Sequence, residues 1–127
     1  MKTLRILIVE DEELVLSTLL RQLRRSPFDA DTATNGQEGL ARIEGSDEPY
    51  DVLLTDFNMP VMTGLHMIHE INQLPSDKRP KLIIAMTGRT ENLDILAREA
   101  PGVQTISKPF IWSKVEKIIE EFFRDQP

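Results

Sequence analysis

Val52-Leu53-Leu54-Thr55-Asp56-Phe57-Asn58-Met59-Pro60 is a short, continuous apolar run that stops on an acid and passes into a loop marked by proline. A run without polar alternation reads as a strand buried on both faces, the habit of a parallel sheet. Working outward, the same pattern recurs. Ile6-Leu7-Ile8-Val9 is followed by acids, Leu82-Ile83-Ile84-Ala85-Met86 ends at Thr87, and the weaker Val103-Gln104-Thr105-Ile106 ends before Ser107-Lys108-Pro109. Asp29-Ala30-Asp31-Thr32-Ala33 is polar and suits an edge strand.

Helical spacing fills the gaps. Leu16, Leu19, Leu20 and Leu23 fall at i, i+3, i+4, i+7 and share one face, as do Val115, Ile118, Ile119 and Phe122. Ser113 with Glu116 three residues on reads as a capping box opening the last helix. Leu65, Ile68 and Ile71 form a shorter stripe, and Gly36 to Ile43 and Glu91 to Ala97 read as short helices. Thr34-Asn35-Gly36 reads as the start of a helix rather than a hairpin turn. Strand and helix therefore alternate five times. That order predicts an α/β, flavodoxin-like three-layer sandwich: a five-stranded parallel sheet, order 2-1-3-4-5, with five helices and right-handed crossovers.

At roughly 100–200 residues per domain, residues 1–127 read as a single domain. The chain has no cysteine, which excludes disulfide scaffolds, cysteine-bound zinc, iron–sulfur sites and thiol catalysis. Its net charge of −6 argues against direct nucleic-acid binding, which needs basic groups to displace phosphate counterions. No apolar run approaches the ~20 residues of a membrane span, and the stretch ending at Glu10 is too short for a secretory leader. The expected compartment is the cytoplasm. Arg124-Asp125-Gln126-Pro127 reads as a frayed tail or the start of a linker.

Open α/β sheets bind ligands beyond the carboxyl ends of their strands. The strands leave Glu10-Asp11-Glu12, Asp56, Thr87-Gly88 and Lys108-Pro109 at that edge. In the order 2-1-3-4-5 the first and third strands are neighbours, so Glu10, Asp11 and Asp56 converge. Clustered carboxylates need a counter-charge, and Mg²⁺ accepts one or two of them while leaving room for phosphate oxygens. With a lysine and a threonine hydroxyl added, the set holds what phosphoryl transfer needs, and a carboxylate can itself be the nucleophile.

These residues resemble a known family. Val9-Glu10-Asp11-Glu12, Thr55-Asp56-Phe57-Asn58-Met59-Pro60 with Thr63-Gly64, Met86-Thr87-Gly88 and Ser107-Lys108-Pro109-Phe110 together resemble the receiver domain of two-component response regulators, chemotaxis-regulator-like, over essentially the whole length. The resemblance implies a phosphoacceptor switch in a two-component or phosphorelay system, not an enzyme beyond its own phosphotransfer and dephosphorylation. Asp56 would take the phosphoryl group from a sensor histidine kinase or phosphotransfer protein as a 4-aspartylphosphate. Asp11 and Asp56 would bind Mg²⁺ directly, Glu10 mainly through water, and the backbone carbonyl of Asn58 would be a further ligand. Thr87 would move to the phosphoryl group, and Lys108 would pair with Asp56 before transfer and with phosphoryl oxygens after it. A cis Lys108-Pro109 bond is expected. The face made by helix 4, strand 5 and helix 5 is the expected output surface and a surface for a homodimer, with no downstream target named by the sequence.

The chain departs from the family pattern at Thr105, three before Lys108, where an aromatic residue usually sits. Asn58 and Arg89, each two past a site residue, are expected to tune self-dephosphorylation. Plainer readings stand beside these: Glu12 and Glu13 as solvated first-turn acids, His66 and His69 as exposed helix residues, Trp112, Phe122 and Phe123 as packing, and Thr87 as a helix cap. A flavin-binding flavodoxin is disfavoured by acids where a phosphate would sit. An aspartyl phosphohydrolase lacks its second acid at Asn58, and no P-loop is present. A degenerate receiver acting only as a docking module is disfavoured by the complete set of acids, Asp56, Thr87 and Lys108, while the choice between a stand-alone regulator and a receiver cut from a longer protein stays open.

Overall fold

The computed structural model describes residues 3–124. Five strands, β1 (Leu4–Val9), β2 (Phe28–Ala33), β3 (Val52–Asp56), β4 (Leu82–Thr87) and β5 (Gln104–Ser107), form one sheet in the order β2-β1-β3-β4-β5, every pair parallel. Five helices separate and follow them: α1 (Glu13–Leu23), α2 (Gly36–Gly45), α3 (Gly64–Ile71), α4 (Thr90–Glu99) and α5 (Trp112–Arg124). The expected architecture is therefore the one found. The last three residues of the expected tail, Asp125 to Pro127, lie outside the described residues.

Alternation along β1 explains the layers. Ile6 and Ile8 face one side with Leu54, Ile84 and Met86, against Leu19 and Leu23 of α1 and Trp112, Val115 and Ile119 of α5. Leu7 and Val9 face the other side with Leu53, against Ile43 of α2 and Met67 and Ile71 of α3. A third cluster packs Ala85 and Phe57 against Ile68 of α3 and Leu96 of α4. Each such aliphatic side chain contributes about 1.5–3 kcal/mol on burial.

β5 departs from the expectation of a strand buried on both faces. Only Ile106 is buried, whereas Gln104, Thr105 and Ser107 are exposed, because β5 pairs with β4 alone and forms an edge. The capping box at Ser113 is likewise not formed. α5 starts at Trp112, two residues before the Lys114 start that a Ser113 cap implies, which places Ser113 inside the first turn. Trp112 sets that start: it is buried, donates from Nε1 to Ser26 Oγ at 3.1 Å and meets Phe28 edge-to-face at 6.1 Å. The start of α2 is as expected, with Asn35 Oδ1 accepting from the Glu38 amide at 2.8 Å.

At the amino edge of the sheet, Asp51 acts as a clasp. Its buried carboxylate accepts from the Arg5 amide at 2.8 Å, its own amide donates to Arg5 O and its carbonyl accepts from Leu82 N. Arg5 lies over the Tyr50 ring at 4.6 Å, and Tyr50 donates to Asp31 at 2.6 Å. Asp51 thereby ties β1, β3 and β4 at the end opposite the acids, and Tyr50 adds a bond to β2.

Candidate functional site

The parallel register delivers the acids. Val9 pairs with Thr55, so the next residues, Glu10 and Asp56, emerge side by side. Backbone bonds continue the lock across the sheet: Glu10 N to Ala33 O at 3.0 Å, Phe57 N to Met86 O at 2.9 Å and Lys108 N to Thr87 O at 2.8 Å. Glu10, Asp11 and Asp56 each bring a carboxylate oxygen within 4.8 Å of the others. Glu10 and Asp56 are buried and Asp11 is exposed.

Lys108 neutralises this cluster. Its Nζ lies 3.2 Å from Glu10 Oε1 and 3.3 Å from Asp56 Oδ1. Its reach extends further than the expected pairing with Asp56 alone, because Glu10 points into the same crevice. The peptide bond from Lys108 to Pro109 is cis, as expected. Burial favours the neutral amine, but the charges of Asp56 and Glu10 outweigh it and hold Lys108 above its ordinary value. Glu10 moves the other way from a normal acid. Burial first, then the neighbouring Asp56, push it up to about 8. Its second oxygen, Oε2, is buried without a hydrogen-bond partner.

That orphaned oxygen, beside two further carboxylates, tests the fit of a cation. A buried carboxylate oxygen without a donor is costly, and a hard divalent ion with oxygen ligands satisfies it. The donor set here is all oxygen, so Glu10, Asp11 and Asp56 fit Mg²⁺ better than a softer metal.

The loop after Asp56 turns tightly. Gly64 N donates to Phe57 O at 2.9 Å, and a Cβ on Gly64 would collide with the backbone carbonyl of Asp56. Val61 in this loop has φ +70° and is 78% exposed, a strained setting for a β-branched side chain. Asn58 in the same loop and Arg89 just ahead of α4 are exposed. Thr63 caps α3, accepting from His66 N at 3.1 Å.

Thr87 is 2% exposed at the end of β4. Its hydroxyl oxygen accepts from Arg89 N at 3.2 Å and from Asn92 Nδ2 at 2.8 Å. Asn92 was not anticipated from the sequence. Its signal there is an amide at i relative to Leu96 at i+4, a polar residue on the apolar stripe of α4. The plainer readings hold elsewhere: Glu12 and Glu13 are exposed at the start of α1, and His66 and His69 are exposed on α3, with His66 3.6 Å from Glu70. No helix among the described residues is long and apolar enough to cross a membrane.

Residues 6–120 match the family described as the response regulator receiver domain. The alkaline phosphatase synthesis transcriptional regulatory protein PhoP of Bacillus subtilis (strain 168) is 29% identical over 121 residues, covering 94% of this chain and 48% of that protein. A probable chemotaxis protein CheY of Rhizobium etli is 28% identical over 123 residues, 94% of this chain and 92% of that protein. The chain thus spans about half the length of the first-matching curated regulators. Among solved structures, the receiver domain of sensor histidine kinase PA1611 from Pseudomonas aeruginosa PAO1, with magnesium in its active-site cleft, superposes with a TM-score of 0.81 at 22% identity. That match covers 98% of this chain and 100% of that one and shows the shared fold.

Proposed function

Because the chain belongs to the response regulator receiver domain family, we propose that its carboxyl-edge cluster is the phosphoacceptor site of a two-component signalling switch. The observation that carries this reading is the convergence of Glu10, Asp11 and Asp56 on Lys108, with Glu10 Oε2 left without a partner. Receiver domains partner with histidine kinases and phosphotransfer proteins, and they are signalling switches rather than enzymes. A phosphohistidine on such a partner is the proposed donor here.

Asp56 is the nucleophile in this reading. One of its oxygens forms the O–P bond as the N–P bond of the phosphohistidine breaks, and the electron pair leaves with the imidazole. Glu10, Asp11 and Asp56, with the backbone carbonyl of Asn58, would hold Mg²⁺, which when bound neutralises charge on phosphoryl oxygens. Lys108 starts on Glu10 and Asp56 and passes to the phosphoryl oxygens. The Thr87 hydroxyl donates to the same group. The new charge of about −1.5 to −2 at Asp56 favours the arrangement in which Thr87 has moved inward. Asn58 and Arg89, exposed at the rim, tune the lifetime of the acyl phosphate.

Residues 1–127 act as one unit in this reading, in the cytoplasm, with the face of α4, β5 and α5 as the surface for output or self-association. Thr105 is exposed on that face and supplies no aromatic side chain to it. The test is intact mass after incubation with acetyl phosphate, with and without Mg²⁺, beside Asp56→Asn. One added phosphoryl group that needs both Mg²⁺ and Asp56 is the expected result. A folded protein that takes none, from acetyl phosphate or from a phosphorylated kinase, would instead be a docking module.

A further inference from the structure

The hydroxyl of Thr87 has one proton and two lone pairs. Both lone pairs are engaged, by Asn92 Nδ2 at 2.8 Å and by the Arg89 amide at 3.2 Å. The proton has only a long contact, 3.4 Å, to the Arg89 carbonyl. A hydroxyl so placed has donation as its free capacity, and an oxyanion is what it would donate to. Asn92 is itself buried, on the third residue of α4, and its backbone amide donates to Arg89 O at 3.2 Å. The shortest side-chain link from the carboxyl edge to α4 is therefore a buried amide–hydroxyl bond, the setting in which losing a partner is costly.

We infer that Asn92 is a positioning residue that couples Thr87 to α4: it saturates the hydroxyl oxygen, which reserves the proton for a phosphoryl group, and it makes the first turn of α4 follow that hydroxyl. The inference rests on the receiver reading of the site. Asn92 touches no reacting atom. It acts through Thr87. The bond is kept when Thr87 moves because the amide left behind would be buried and unpaired. Gly88 and Arg89, which join Thr87 to α4, are exposed, and Arg89 is bonded through its amide to Thr87 and through its carbonyl to the Asn92 amide.

The test uses the wild-type chain, Asn92→Leu (similar shape, no donor), Asn92→His (a donor at the same bond distance from Cα), Thr87→Val and the Leu/Val double variant. Each is treated with acetyl phosphate and Mg²⁺. Intact mass reports phosphoryl uptake, and ¹H–¹⁵N spectra report amide shifts in residues 90–99. Asn92→Leu is expected to keep uptake but to reduce the phosphorylation-dependent shifts of α4 at least threefold. Asn92→His restores them, and the double variant is no worse than Thr87→Val alone. A purely structural role would move none of these readouts selectively. The inference is overturned if Asn92→Leu keeps wild-type shifts in α4, or if the two single losses add in the double variant. Should the leucine variant not fold, the wild-type side-chain amide signal of Asn92 decides. It shifts on phosphorylation and stays protected from exchange if the bond is carried along; an unmoved signal refutes the coupling. No phosphoryl uptake by the wild type would refute the receiver reading instead.

Discussion

At the scale of single residues, Glu10 holds the most informative charge. Its value of about 8 lies above the 4.5 of an ordinary glutamate, because burial and the neighbouring Asp56 disfavour its ionised form. The folded chain therefore keeps a proton that the unfolded chain releases between those values. The resulting stabilisation is present below pH 4.5 and is lost as pH rises through about 8. Urea unfolding in a chelator should show the wild type losing stability between pH 5 and pH 8.5. Glu10→Gln, which stays neutral, should flatten that slope. A wild type equally stable at both pH values would mean that Lys108 already fixes Glu10 as the anion. Lys108 matters here because it lies within 3.3 Å of both Glu10 and Asp56, and its charge is the one that must be shared.

At the scale of elements, the loop between β3 and α3 sets the geometry of Asp56. Gly64 lies against the Asp56 carbonyl, so Gly64→Ala should destabilise the fold by about 1–3 kcal/mol, the range for overpacking. It should also slow phosphoryl uptake, measured by intact mass over time. Val61 gives the opposite case. Its φ of +70° costs a β-branched residue about 1–2 kcal/mol, and asparagine tolerates that region far better. Val61→Asn should raise the midpoint of thermal unfolding, by an amount equivalent to about 1 kcal/mol. Because Val61 is exposed, core packing should be untouched. An unchanged or lowered midpoint would show that the loop relaxes around valine. Sequence patterns place this loop but not its backbone angles, which follow from how the chain must close between Asp56 and the Thr63 cap.

At the scale of the molecule, the two edges of the sheet divide the work. The carboxyl edge gathers three acids around a single lysine, and the amino edge holds the Arg5–Asp51–Tyr50 clasp. Asp51→Ala leaves the half-buried Arg5 amide without its partner and should cost about 1–3 kcal/mol in urea unfolding. Phosphoryl uptake should stay at the wild-type rate, since the clasp lies at the far end of the strands. A matching loss of uptake would show that the two edges are coupled. By itself, the sequence determined the sheet, its strand order and the convergence of Glu10, Asp11, Asp56, Thr87 and Lys108 on one edge. Apolar runs, helical spacing and the rule that parallel strands share a carboxyl edge are all local or topological signals. The tertiary structure alone decided that Ile106 is the one buried residue of β5, that α5 starts at Trp112 and not at a Ser113 cap, that Lys108 is shared with Glu10, and that Asn92 holds Thr87. Those outcomes depend on which groups lose their water together, and burial is a property of the packed whole.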